Sequence, residues 1–139
     1  AVRIISELGQ ALGIPSLAAR DGLCELAIDD HHRLQVIVVA ARRQILLSCA
    51  IGPAGLPAQQ MQLMAQANFM QAGGGAVLCL APDGRPHVQI AVPYEHAGAG
   101  NLIAAIEALL AQVDTWEERL KRVDAPFRPT GPAGMFMPV

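Results

Sequence analysis

Asp29-Asp30-His31-His32 and Gly73-Gly74-Gly75 are the two stretches of this sequence whose residue types carry chemical capacity. Two carboxylates beside two imidazoles can ligate a metal or pass protons, and a glycine run can cradle a phosphate. The phosphate reading fails on direction. A cradle runs strand, glycines, helix, because a helix N-terminus offers free N–H groups and the positive end of a dipole. Here "AQANFMQAGGGAVLCLAPDGRP", Ala65 to Pro86, runs from a helical pattern through the glycines into a strand pattern. No Gly-Lys-Ser/Thr follows, and the bare carbonyls of a helix C-terminus repel phosphate. Gly73 to Gly75 read as a left-handed helix stop and a tight turn.

The Asp29–His32 cluster would need more ligands, and only His87, His96 and scattered carboxylates remain to supply them. Adjacent residues in a strand or turn point apart, so two neighbouring histidines rarely share one ion. The stretch reads as a solvated hairpin turn, with no metal and no cofactor expected. Nucleophiles fare no better. Ser6, Ser16 and Ser48 lack a Gly-x-Ser-x-Gly context, and Cys24, Cys49 and Cys79 lack a basic neighbour to lower a thiol pKa. Three widely spaced cysteines with no Cys-x-x-Cys spacing read as buried free thiols in a reducing compartment. The expectation is a cytoplasmic protein that is not an enzyme.

Composition points to surfaces instead. The chain has 139 residues, 53% hydrophobic, 16% charged and 4% aromatic, with a formal net charge of -2. That length makes one domain, and the apolar excess calls for burial outside the monomer's own core, by a homodimer or an apolar partner. The charge balance lacks the basic patch that nucleic acid requires. The apolar span "LQVIVVAARRQILLSCAIG" is broken by Arg42 and Arg43, so neither half reaches the roughly 20 residues of a membrane helix. No basic-then-apolar signal segment opens the chain.

The elements that must carry these surfaces follow from periodicity. Ile4, Ile5, Leu8 and Leu12 recur at helical spacing, and Gly13 with Ile14-Pro15 stops the helix. Cys24, Leu26 and Ile28 alternate with Glu25, Ala27 and Asp29 as a strand, and Leu34–Val39 and Ile45–Ile51 make a meander with it. Pro57 opens a second helix running to about Gln71, with Met61, Leu63, Met64, Ala67 and Met70 spread over more than one stripe. "AVLCLA", "PDGRP" and "HVQIAV" form a hairpin. A long last helix places Leu102, Ile103, Ile106, Leu109, Leu110, Val113, Trp116 and Leu120 on one face. The order α-β-β-β-α-β-β-α argues for an α+β fold. Residues 125–139, dense in Pro and Gly, read as a disordered tail on a 1–124 domain. The three methionines Met61, Met64 and Met70 suit an adaptable apolar contact and point to a subunit interface.

Between Ile4 and Leu120 the chain resembles the class I type III secretion chaperones, the Tir chaperone family. The resemblance rests on "LGQALGIPSL", "DGLCELAIDDHHRLQVIVVA", "ILLSCAIGPAGLPAQQMQLMAQANFMQAGGGAVLCLAPDG" and a final helix ending "VDTWEERL". It implies a twisted antiparallel sheet packed by the first and last helices, and a homodimer built on the middle helix, with Met61, Met64, Ala65 and Asn68 at the interface. It implies a non-catalytic chaperone that holds the N-terminal region of a type III secreted effector, extended and soluble, on the dimer surface. For that contact the first helix and one parity of the early strands are the expected residues: Ile5, Leu12, Leu26, Ile37, Val39 and Leu46. Two other readings stay open here. One is a small-molecule-binding or regulatory α+β module without an export role, and the other is an enzyme using Asp29–His32.

Overall fold

Helical spacing at the start of the chain produces α1 (Val2–Ala11) in the structure, a computed structural model that describes residues 2–14, 20–69 and 75–123. Its end has a defined cause. Gly13 adopts φ +74, Ile14 N–H donates to the Gly9 carbonyl at 2.7 Å and Gly13 N–H to the Gln10 carbonyl at 3.2 Å. This paired closure satisfies carbonyls that a helix end leaves bare, and glycine makes the left-handed step without strain.

Five strands follow the alternation: β1 (Leu23–Ala27), β2 (Arg33–Val39), β3 (Gln44–Ala50), β4 (Val77–Leu80) and β5 (Pro86–Pro93). They form one antiparallel sheet in the order β1-β2-β3-β5-β4, so β1 and β4 are the edges. Between β3 and β4 lies α2 (Ala58–Ala67), and α3 (Ala99–Val123) closes the described chain. Arg43 links β2 to β3 in a left-handed conformation at φ 51, its guanidinium 5.6 Å from the Tyr94 ring centre.

Every second strand residue faces the helices. Leu34, Val36, Ile45, Leu47, Cys49, Val88 and Val92 are buried there, as are Leu102, Ile106, Leu109, Val113, Trp116 and Leu120 of α3. The alternating steps of four and three along α3 keep those six on one stripe, which lies across β3 and β5. In this layer α1 packs beside α3 through the buried Ile5 and Leu8, and α2 packs against β4 and α3. Full burial of each such aliphatic side chain stabilises the fold by about 1.5–3 kcal/mol. The α+β architecture expected from the sequence is therefore the one observed.

One boundary moved. The second helix ends at Ala67 rather than near Gln71, because the next residue, Asn68, turns its side chain away to bond with β4. Gly75, at φ +95 just before β4, makes a left-handed turn of the kind expected of the glycine run. Gly73, Gly74 and Met70 lie outside the described residues, as does the proline-rich tail from 125 to 139.

Candidate functional site

The helices all lie on one face of the sheet, so among the described residues the opposite face is open. The register assembles it in cross-strand rows. Leu23, Ile37, Leu46 and Ala91 stand opposite one another on β1, β2, β3 and β5, forming an apolar ladder. Val39 lies beside it, one pleat further along β2. The neighbouring row is polar: Glu25, Gln35, Ser48 and Gln89, continued on β4 by Val77. Ser48 is buried beneath this row, where Gln89 donates to its hydroxyl at 3.1 Å and the His87 Nδ1 lies 3.1 Å away. Burial, then the nearby Arg85 charge, holds the His87 pKa below its ordinary value. Such a face offers apolar anchorage in one row and amide hydrogen bonding in the next, as an extended segment with alternating side chains requires.

The expected contact residues divide on this geometry. Ile37, Val39 and Leu46 are half-buried on the open face, and Leu12 is exposed beyond the end of α1. Ile5 and Leu26, however, are only 2% and 6% exposed and belong to the core. The reason for Leu26 is strand parity: Cys24 and Leu26 point inward, which leaves Leu23 as the outward apolar residue of β1. Leu23 was not among the residues expected from the sequence, and the inward pairing of its neighbours was the signal for its outward placement.

The middle helix divides in the same way. Met64 is 4% exposed and joins the protomer's own buried cluster, while Met61 is 39% exposed and Ala65 is exposed with it. Phe69, 75% exposed just past the helix end, extends that line at a spacing of four. Asn68 is occupied within the chain. Its amide nitrogen donates to the Leu78 carbonyl at 2.8 Å, and Leu78 N–H donates to its Oδ1 at 2.9 Å. The Asn68 side chain thus acts as a short strand on the outer side of β4.

The Asp29–His32 stretch is a turn, as expected, with the His31 and His32 amides donating to Asp29 Oδ1 at 2.7 and 2.8 Å. The His32 ring is less solvated than the sequence suggested, because it also meets Glu117 of α3 at 2.7 Å. The hydrogen bond from His32, then that from the His31 amide, holds the Asp29 carboxyl at about 2. Among the described residues no group of three or more His, Cys, Asp or Glu is placed to hold a metal ion. Burial pushes all three thiols up, Cys49 to about 11, so none is primed as a nucleophile. No helix among the described residues is long and apolar enough to cross a membrane.

A cavity of about 400 Å³ lies between the β3–α2 loop and the end of α3, lined by Ile51, Pro53, Leu56, Pro57, Gln60 and Leu120 among others. Gln60 is buried there and donates to the Leu120 carbonyl at 3.0 Å, tying α2 to the last turns of α3.

Comparison with known proteins gives this arrangement a context. No curated protein matches the chain. Among solved structures, the ExsC-ExsE complex contains a similar fold, with 18% identity, a TM-score of 0.74, and coverage of 85% of this chain and 91% of the other. The HopA1-SchA chaperone-effector complex aligns at 24% identity and TM-score 0.71, covering 84% and 91%. The Yersinia pestis type III secretion chaperone SycH, in complex with a fragment of YscM2, aligns at 13% and 0.65, covering 83% and 98%. These likenesses establish the fold. Residues 3–117 match the model of the Tir chaperone protein (CesT) family, and the chain belongs to that family.

Proposed function

We propose that this protein works as a type III secretion chaperone by holding an extended effector segment on the open face of its sheet. Family membership carries the chaperone assignment, and the apolar ladder Leu23–Ile37–Leu46–Ala91 supports the surface. A solved structure of similar fold, HopA1-SchA, is a chaperone-effector complex, which supports an effector as the partner. The protein is read as a cytoplasmic binding protein that leaves its partner chemically unchanged. An effector segment that orders on this face buries apolar side chains and gains hydrogen bonds from Gln35 and Gln89.

Two chains meet, in this reading, through the exposed line Met61, Ala65 and Phe69 on α2. The sequence contribution of Met64 and Asn68 to the dimer is indirect, since one packs the helix and the other fixes β4 beside it.

Candidate effectors encoded beside its gene, co-expressed with the chain, are expected to copurify through their N-terminal segments at one copy per dimer. Ile37→Asp and Leu46→Arg should weaken that association by about tenfold or more each, as loss of about 1.4 kcal/mol entails. Both residues are on the uncovered face but half-buried, so each change should lower the melting temperature by only a few degrees and leave the sheet folded. Full retention of binding in the Ile37→Asp, Leu46→Arg double variant would move the effector off this face.

A further inference from the structure

His32 sits between two carboxylates contributed by different parts of the chain. Its Nδ1 is 2.8 Å from Asp29 Oδ2 in its own turn, and its Nε2 is 2.7 Å from Glu117 Oε1 on α3, 85 residues away in sequence. Ionised carboxylates only accept hydrogen bonds, while a neutral imidazole has one donor nitrogen and one acceptor. Both contacts are satisfied together only when both ring nitrogens carry protons. A neutral ring sets a lone pair against one of the two carboxylates.

The placement gives this pair structural leverage. Asp29, Asp30 and His31 at the tip of the β1–β2 hairpin are exposed, and β1 is an edge strand with a neighbour on one side only. Of the ion pairs among the described residues, His32 with Glu117 is the one that joins the sheet to a helix. We infer that His32 is a proton-dependent clasp, fastening the tip of the β1–β2 hairpin to α3 when charged and releasing it when neutral.

The surrounding charges are mixed. Asp29, Asp30 and His31 come from the turn, Glu25 from β1 and Arg33 from β2, with Arg85 and His87 beside them around one cavity of about 520 Å³. On α3, Glu117 faces the ring, and Lys121 lies one turn further along the wall of the other cavity. The two carboxylate contacts outweigh partial burial and hold the His32 pKa above its ordinary 6.5. A raised histidine pKa contributes stability that is fully present below 6.5 and is lost as pH rises through the folded value. The lowered Asp29 pKa works in the other sense, its contribution being complete above 3.8 and lost as pH falls toward about 2. The clasp is therefore strongest between those two ordinary values, and mild alkali opens it. Any consequence for effector holding, through Leu23 and Glu25 on β1, rests on the open-face reading. The clasp itself does not.

The experiment is an NMR titration of the histidine rings in the full chain, with hydrogen exchange of the 28–32 amides followed across the same pH range. Glu117→Gln should lower the His32 midpoint while the sheet stays folded. Exchange at the hairpin tip, corrected for intrinsic rate, should rise through the His32 midpoint in the parent protein. In His32→Gln it should be independent of pH. A His32 midpoint unmoved by Glu117→Gln overturns the clasp, as does hairpin-tip exchange that ignores pH in the parent protein. If the clasp stands and effector affinity ignores pH, the open-face reading alone is in error.

Discussion

Met64→Glu is expected to unfold the chain, whereas Met61→Glu is expected to leave it folded and to shift it toward monomer. The two residues are three apart on α2 and both are methionine, but Met64 is 4% exposed and Met61 is 39% exposed. Replacing Met64 removes a thioether from a packed cluster that includes Leu78 and Leu120, and it places a carboxylate among those apolar side chains. Glutamate is close to methionine in size and leaves little cavity, so the cost is the lost apolar burial, about 1.5–3 kcal/mol, plus several kcal/mol more for burying an unpaired carboxylate. Against a total stability of about 5–15 kcal/mol, the sum removes most or all of the folded state. At Met61 the carboxylate stays in water in the monomer and is buried only if a second chain covers it. Circular dichroism melts and sizing in solution separate the cases. A cooperative melt for Met64→Glu close to that of the parent would contradict its burial, and an intact Met61→Glu dimer would move the interface elsewhere.

Asn68→Ala is expected to carry the next largest effect. Its side chain makes two hydrogen bonds to the backbone of Leu78, a residue that is itself buried. Alanine leaves a backbone N–H and a carbonyl without those partners at the outer side of β4, at a cost of about 1–3 kcal/mol. Since β4 is only four residues long and pairs with β5 alone, the loss should appear first as faster exchange along Val77–Leu80. Asn68→Asp tests the mechanism. A carboxylate still accepts from Leu78 N–H but opposes the Leu78 carbonyl, so it should recover only part of the loss. Equal stability of the parent and Asn68→Ala would show that the two bonds contribute nothing net.

The residues explain why some of this was legible in one dimension. Helices and strands write a local period into the sequence, so Ile5 and Leu8 predicted α1, and Cys24 with Leu26 predicted β1. Six of the eight apolar residues that the sequence placed on one face of α3 form its buried stripe, because burying one face of a long helix demands that spacing. Ile103 and Leu110, at its margin, are only half-buried. The direction helix, glycines, strand was enough to set aside a phosphate loop. Ordered along the chain, those same stretches were enough to suggest the family.

Tertiary structure decided which apolar residues are surface. A strand with apolar residues at both parities, such as Leu34–Val39, has two candidate inner faces, and only packing in the helix-covered core selects Leu34 and Val36 and leaves Ile37 open. The same selection moved Met64 and Leu26 inward, and Met61 and Leu23 outward. Long-range polar pairs were hidden for a different reason. His32 and Glu117 are 85 positions apart, and Asn68 bonds to backbone atoms of Leu78, which the type of the residue at 78 does not reveal. Periodicity records the faces that each element must bury, whereas the partner across the fold is chosen only when the elements are brought together.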